Sequence, residues 1–261
     1  MPIPIPTLLS RSPLAERIAS RVLASAVGPH RRLTLPHLIR LFQEAAMRNT
    51  DRLGISSGDL MKAHGLTWVL HRQLITARAW PIIGDAVTVI TAPTHIERGL
   101  MTYRDFHLID EAGTPLISST SVWSVMQFDS RRLRHIPPVV TALAEHMPPP
   151  EARLTQPSQK IRVPEASDAE RSYRVGFAHL DFNDHLTNPA FAELMVEPLD
   201  INFLTTHLPT RADIVYRHEA RYGDQLTATV AAEKSQPDTF THTLRREAEL
   251  LSIMRSEWAV L

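Results

Sequence analysis

The stretch Leu33-Thr34-Leu35-Pro36 returns, 153 residues later, as Leu186-Thr187-Asn188-Pro189. In both places a proline stands near the first turn of a segment with helical spacing of apolar residues, a position where proline is well tolerated. The first segment predicts a helix over 36–53 and the second a helix over 189–204. Pro198 falls inside the second helix and is expected to bend or break it, because proline removes a helical hydrogen bond.

A matching run of strands follows each predicted helix. Gly84-Asp85 and Gly223-Asp224, 139 residues apart, each predict a hairpin turn. Two further strands are expected in each half, over 100–109, 115–128, 238–247 and 250–261. Because short hairpins join the strands, each sheet should be mainly antiparallel. One long helix for each such sheet predicts an α+β fold in which the sheet wraps around the helix.

The repeat also divides the chain. We expect an N-terminal domain over 1–136, a linker over 137–169 and a C-terminal domain over 170–261. The linker contains Pro137-Pro138 and Pro148-Pro149-Pro150, a composition that suits a semi-rigid spacer.

Composition excludes several classes of function. Lys+Arg and Asp+Glu are equal at 28 each, so net charge gives no argument for nucleic acid or an anionic membrane as the main partner. The absence of cysteine excludes disulfides, thiolate zinc sites and a cysteine nucleophile. Residues 1–10 do not have the pattern of a signal peptide, and no apolar run reaches about 18 residues. We therefore expect a cytoplasmic protein without membrane insertion.

Polar residues crowd in front of the second helix, at Asp181-Phe182-Asn183-Asp184-His185. The corresponding segment of the first half is Gly28-Pro29-His30-Arg31-Arg32, which lacks this set. In an extended segment Asp181, Asn183 and His185 would point to one side. A carboxylate, an amide and an imidazole can orient a water molecule and relay a proton. Asp and Asn before a helix are also common caps and turn formers.

Glu219 is a second candidate, and it lies in a predicted strand. Its counterpart in the first half, through the offset of 139, is Trp80. If Glu219 is buried it needs a partner, since desolvating a carboxylate is costly; otherwise it faces solvent. No HExxH, GxSxG, Walker loop or GxGxxG occurs, so no metal and no cofactor is expected. Arg131 and Arg132 lie in a basic run that is either a solvated turn or a contact for an acidic carrier protein or a phosphate.

An ordered set of motifs resembles the acyl-acyl carrier protein thioesterases of the plant-plastid and bacterial type. The first half supplies Phe42-Gln43-Glu44-Ala45-Ala46, Leu66-Thr67-Trp68-Val69-Leu70-His71-Arg72, Tyr103-Arg104-Asp105-Phe106 and Asp129-Ser130-Arg131-Arg132-Leu133-Arg134-His135-Ile136-Pro137. The second half supplies Asp181-Phe182-Asn183-Asp184-His185-Leu186-Thr187-Asn188 and Tyr216-Arg217-His218-Glu219. The resemblance covers nearly the whole chain, from about residue 33 to residue 261.

The resemblance implies two tandem hotdog domains and the release of free fatty acids from acyl carrier protein in fatty acid biosynthesis. It places the family's D-x-N-x-H motif on Asp181, Asn183 and His185, and the family's strand glutamate on Glu219. It also implies that the first hotdog holds the acyl chain. The two hotdogs should pair within the chain, so either a monomer or a homodimer is expected.

The chain departs from the family where many members carry cysteine after the glutamate, since Ala220 stands there. This favours an activated water over a thiol nucleophile. Glu219 or Asp181 would serve as the general base and His185 would protonate the thiolate, and a covalent intermediate on a carboxylate is the other route. Two further functions stay open, a 3-hydroxyacyl-thioester dehydratase and a non-catalytic acyl-thioester binding protein.

The acyl pocket is expected along the first helix and its sheet. Met47, Trp68 and Trp80 are the candidate lining residues, and ordinary core packing is the alternative for all three.

Overall fold

The structure is a computed structural model that describes residues 9–261, and its chain divides into two compact units. The first unit contains Leu41–Gln73 and Gly84–Pro157, and also residues 9–22. The second contains Leu23–Arg40, Leu74–Ile83 and Ser158–Leu261. Two stretches of the first half of the sequence thus belong to the second unit. The domain boundaries 1–136, 137–169 and 170–261 stay a prediction. The expected lack of a signal peptide rests mostly on residues 1–8, which lie outside the described residues.

The first half of the chain forms an antiparallel sheet with a long helix. Its elements are β1 (Glu16–Arg21), α1 (Leu35–Arg52), α2 (Ser57–His64), β2 (Leu66–Ala77), β3 (Ala86–Glu97), β4 (Met101–Ile109), β5 (Pro115–Gln127), β6 (Leu133–Arg134) and α3 (Pro138–Thr141). The strands are ordered β1-β3-β4-β5-β2, and β6 pairs with β5. Strands β4 and β5 follow the predicted bounds to within a residue, so the sequence prediction is confirmed here.

Helix α1 begins and ends within one residue of its predicted bounds. Most of its apolar positions are buried, among them Leu38, Phe42 and Ala45. The Phe42 ring stacks on Phe106 of β4 with 4.9 Å between ring centroids. Full burial of a large apolar side chain contributes about 1.5–3 kcal/mol, so this stripe holds the helix on the sheet. Within residues 9–261 no helix combines the length and the apolar character needed to cross a membrane.

The second half repeats the arrangement with a shorter helix. Its elements are β7 (Ala169–Arg174), α4 (Asn188–Val196), α5 (Ile201–Thr206), β8 (His207–Tyr216), β9 (Gln225–Ala232), β10 (Thr239–Arg246) and β11 (Glu249–Val260). The antiparallel strand order is β8-β11-β10-β9-β7, and α4 packs on β9, β10 and β11. The predicted break is confirmed, since Pro198 lies between α4 and α5. The α+β prediction is confirmed as well.

The two halves share their backbone turns as well as their order of elements. The Arg31 N–H donates to the Gly28 carbonyl at 2.8 Å, and the Asp184 N–H donates to the Asp181 carbonyl at 3.2 Å. Arg31 and Asp184 adopt left-handed φ angles of 60° and 61°. A repeat visible in sequence as short matches is therefore a repeat of local structure.

Candidate functional site

The motif residues before α4 form a tight turn. The Asp181 carboxylate accepts the N–H of Asn183 at 2.8 Å and the N–H of His185 at 3.2 Å. The expectation of an extended segment with three side chains on one side is wrong. A short carboxylate close to its own backbone offers those N–H groups an acceptor, and this favours a turn over a strand.

Glu219 lies outside the strand in which the sequence placed it. Strand β8 ends at Tyr216, and Glu219 belongs to the irregular segment that follows. The N–H groups of Arg217 and His218 both donate to the Leu251 carbonyl, at 2.9 and 3.2 Å. Because two successive N–H groups share one acceptor, the regular alternation of the ladder stops there. The strand prediction for Glu219 is therefore wrong.

The turn and the irregular segment bring His185 and Glu219 together. His185 Nε2 lies 3.2 Å from Glu219 Oε1, and the two side chains are 19% and 30% exposed. Arg221 Nη2 donates to the same Glu219 oxygen at 3.0 Å and lies 3.3 Å from His185 Nε2. A carboxylate, an imidazole and a guanidinium thus meet at a half-buried place that water can reach.

Arg221 was missed by the sequence reasoning. Its counterpart in the first half, through the offset of 139, is Ile82. An apolar residue in the first half is thus replaced by a cation two positions after the candidate glutamate, and this difference between the copies could have pointed to Arg221. An isolated bridge between His185 and Arg221 joins the two backbone segments, and the Arg221 guanidinium contacts both the His185 and the Glu219 side chains.

The other two motif residues stand apart from this contact. Asp181 uses its carboxylate on the backbone of its own turn, and Asn183 is exposed on that turn. In the described part of the chain no three His, Asp or Glu side chains form a group suited to a metal ion.

The beginning of α4 lies next to the turn. Asn188 is the first helical residue and follows His185 by three positions, and Pro189 has no N–H. The N–H groups of a first helical turn have no acceptor within the helix and carry positive partial charge. The Asn188 N–H is therefore a candidate donor to an oxyanion.

The predicted lining residues differ in their surroundings. Met47 is exposed on α1. Trp68 is partly buried, and its indole N–H donates to the Ile55 carbonyl at 2.8 Å. Trp80 is buried, and its indole N–H donates to the Pro209 carbonyl at 2.7 Å. Each indole therefore has a structural partner within its own unit.

The predicted basic residues lie in the turn after β5. Arg131 and Arg132 are both exposed there, and Arg131 adopts a left-handed φ of 55°. Its N–H donates to the Gln127 carbonyl at 2.9 Å, which closes the turn. A role for either side chain in binding stays a prediction.

Comparison with known proteins covers most of the chain. Family models described as the acyl-ACP thioesterase N-terminal domain and the acyl-ACP thioesterase C-terminal domain match residues 19–144 and 163–260. The chain is 27% identical over 221 residues to oleoyl-acyl carrier protein thioesterase 2, chloroplastic, of Arabidopsis thaliana. That alignment covers 79% of this chain and 60% of the relative, so the chain spans less than two thirds of the relative's length.

Two solved structures show the fold. The 12:0-ACP thioesterase from Umbellularia californica has a TM-score of 0.84 at 20% identity, covering 95% of this chain and 98% of its own. An acyl-ACP thioesterase from Bacteroides thetaiotaomicron has a TM-score of 0.83 at 19% identity, covering 94% and 98%. The predicted pair of tandem hotdogs is confirmed by these likenesses.

Proposed function

Because the chain belongs to the acyl-ACP thioesterase family, we propose that it hydrolyses fatty-acyl thioesters of acyl carrier protein to free fatty acid and carrier thiol. The contact of His185 with Glu219, backed by Arg221, is the observation that carries the proposal. This contact lies in the second copy of the repeat, whereas the first copy has Arg32 and Trp80 at the same positions. Neither relative reported above as a solved structure is named a dehydratase.

Glu219 is the proposed general base and His185 the proton carrier. Glu219 takes a proton from water while the water oxygen bonds to the thioester carbonyl carbon. The proton passes to His185 across the 3.2 Å contact and on to sulfur as the C–S bond breaks. Fatty acid and thiol leave, and both side chains return to their starting state. A positioned base of this kind contributes about 10²–10⁴-fold to the rate.

The Asn188 N–H supports the same step by donating to the oxyanion of the tetrahedral intermediate. Loss of one such donor costs about 10²–10³-fold in other acyl-transfer sites. Asp181 is proposed to position the turn, since its carboxylate is already occupied by two backbone N–H groups. Asn183, exposed on that turn, is proposed to orient the water or the thioester carbonyl.

Thiol release from acyl carrier protein and coenzyme A thioesters tests the proposal. A thiol-reactive dye suits the assay because the protein has no cysteine. We expect Glu219→Gln and His185→Ala to lower kcat by about 10²-fold or more while the variants stay folded. Asp181→Asn should keep most activity, because an amide oxygen can still accept the turn N–H groups.

Glu233→Gln is the matched control, since Glu233 is another arginine-bound glutamate of the second unit, 2.7 Å from Arg255 Nε. Tight acyl binding without thiol release would overturn the hydrolase and point to an acyl-thioester binding protein. Loss of water across a 3-hydroxyacyl substrate, with the thioester intact, would point to the dehydratase. A collapse with Asp181→Asn but not with Glu219→Gln would reassign the base.

A cytoplasmic location, and a monomer or homodimer, are proposed on the sequence alone. The Arabidopsis relative is named as chloroplastic.

A further inference from the structure

Three aromatic side chains stand in solvent on the loops that hold His185 and Glu219. Phe177 is 84% exposed, Phe182 is 70% exposed and Tyr222 is 59% exposed. We call these three residues the aromatic rim. Exposed apolar groups gathered at one place on a protein commonly mark an interaction site.

Backbone hydrogen bonds tie the three loops into one surface. The Val175 N–H donates to the Asp224 carbonyl at 2.9 Å, so the strand leading to Phe177 lies beside the Tyr222 turn. The Thr187 N–H donates to the His179 carbonyl at 2.9 Å, which joins the loop of Phe177 to the loop of Phe182. The rim therefore borders the His185–Glu219 pair.

The first copy of the repeat shows that the fold does not require these rings. It lies in the same unit and repeats two backbone bonds of the second copy. The Thr34 N–H donates to the Ala26 carbonyl at 3.1 Å, as the Thr187 N–H does to His179, and the Leu33 N–H donates to the Pro81 carbonyl at 2.9 Å, as the Leu186 N–H does to the Ala220 carbonyl at 2.8 Å. Through the offsets of 153 and 139, its residues at the three rim positions are Ala24, Pro29 and Ile83. Only the copy with the His–Glu pair carries aromatics there.

Charge around the rim favours an acidic partner. The Arg174 guanidinium lies 5.2 Å from the centroid of the Tyr222 ring, and Arg174 and Arg217 are both exposed. Two nearby carboxylates are bound by arginine, Glu219 by Arg221 and Asp224 by Arg246 at 2.6 Å. Asp184 adds one exposed carboxylate on the turn of Phe182, against the two exposed guanidiniums. Aromatic residues and arginine are the side chains that protein interfaces concentrate, and complementary charge steers the encounter.

We propose that the aromatic rim, with Arg174 and Arg217, is the docking surface for an acidic acyl carrier protein. The inference rests on the proposed function, because a carrier must bring its thioester to His185 and Glu219 and so must meet the loops around them. The rings supply the apolar anchor and the two guanidiniums meet carboxylates of the carrier.

The test compares one acyl group on acyl carrier protein, on coenzyme A and on N-acetylcysteamine. The rim variant is Phe177→Ala with Phe182→Ala and Tyr222→Ile, and the charge variant is Arg174→Glu with Arg217→Glu. For each we expect kcat/KM on the carrier to fall about tenfold or more, mainly through KM. On N-acetylcysteamine, which has neither protein nor nucleotide, kcat/KM should change by less than about twofold.

Exposed residues outside these loops supply the controls, Ile201→Ala for the rim and Arg162→Glu for the charge. An equal loss on all three thioesters would overturn the inference, because the rings would then serve the fold or the reacting groups. A loss of kcat/KM confined to the coenzyme A thioester would also overturn the inference, because the surface would then bind the nucleotide. Unchanged kcat/KM on all three thioesters would overturn it as well.

Failure of the proposed function is a separate result, seen when the wild-type protein hydrolyses none of the three thioesters. Calorimetric binding of the acylated carrier protein then decides the inference alone. Binding that is weakened about tenfold in the rim and charge variants supports the docking surface. Binding of equal strength in wild type and both variants overturns it.

Discussion

The Glu219 carboxylate is held by side chains from two segments, His185 from the turn before α4 and Arg221 two positions downstream. The ion pair with Arg221 is partly exposed, so it contributes little to stability. Its role is to orient the Glu219 carboxylate, because it holds Oε1 beside the imidazole of His185. Arg221, which the sequence did not single out, therefore contacts both residues that it did single out, His185 and Glu219.

Replacing Arg221 tests this role. We expect Arg221→Gln to lower kcat about tenfold, equivalent to about 1.4 kcal/mol of transition-state stabilisation, with little change in KM. Arg221→Lys should recover part of the loss, because it keeps the charge but not the planar fork. Steady-state kinetics of both variants decide, with Arg211→Gln as the control at another surface ion pair. Wild-type kcat in both Arg221 variants would contradict the prediction.

Among the secondary-structure elements, α4 is anchored through a buried histidine of β10. One ring nitrogen of His242, Nδ1, donates to the Met195 carbonyl at 2.7 Å, and Nε2 accepts from Ser256 Oγ at 2.7 Å. The Trp258 indole N–H donates to the same hydroxyl at 2.7 Å. Burial lowers the pKa of His242 to about 4, so the neutral ring links α4, β10 and β11.

This histidine predicts a pH dependence of stability. Because the folded pKa lies below the unfolded value of 6.5, its contribution is complete above pH 6.5 and is lost as the pH falls towards 4. The loss should reach about 3 kcal/mol in the free energy of unfolding. Urea unfolding of wild type and His242→Gln at pH 7 and pH 4.5 measures it. The variant should show the smaller change with pH, and equal changes in both proteins would count against the assignment.

Trp80 tests whether a predicted lining residue is core instead. It is buried, and its indole N–H is bonded to the Pro209 carbonyl. Trp80→Phe should cost about 1 kcal/mol of stability through the lost hydrogen bond, and Trp80→Ala about 3–5 kcal/mol. Denaturant unfolding gives both values. A stable Trp80→Ala protein with altered KM would show instead that the ring lines the acyl site.

In the molecule as a whole the same local fold occurs twice, while the His–Glu contact occurs in the second copy. The first copy has Arg32 and Trp80 where the second has His185 and Glu219, and the Arg32 Nη1 donates to the Trp80 carbonyl at 2.8 Å. Because the first copy lacks the His–Glu contact, it can specialise in binding, which agrees with the prediction that the first half holds the acyl chain.

That division predicts separable effects on chain length. Met47→Ala should change the ratio of kcat/KM between long and short acyl thioesters by about threefold, because each buried CH₂ contributes about 0.8 kcal/mol. Glu219→Gln should lower kcat/KM for long and for short acyl thioesters by the same factor, so that their ratio stays unchanged. A series of acyl lengths measures the two ratios, with Arg48→Ala, also exposed on α1, as the control. An unchanged ratio in Met47→Ala would remove that residue from the acyl site.

Much of the fold followed from the sequence because its causes are local. The apolar spacing of α1 fixes its buried face, and Pro198 breaks the second helix because it cannot donate a helical N–H. Gly84 and Gly223 take φ angles of 90° and 87° at the hairpin turns, which glycine adopts readily. Each of these depends on a few neighbouring residues.

The site was decided by contacts between distant segments. The Leu251 carbonyl ends the regular ladder before Glu219, and the bridge from Arg221 to His185 sets the two reacting side chains 3.2 Å apart. The repeat, the family resemblance and the two residues of the contact, His185 and Glu219, could all be read from the sequence. Only the tertiary structure added Arg221 and the exposed rim, because the partners and solvent exposure of a side chain depend on segments far away along the chain.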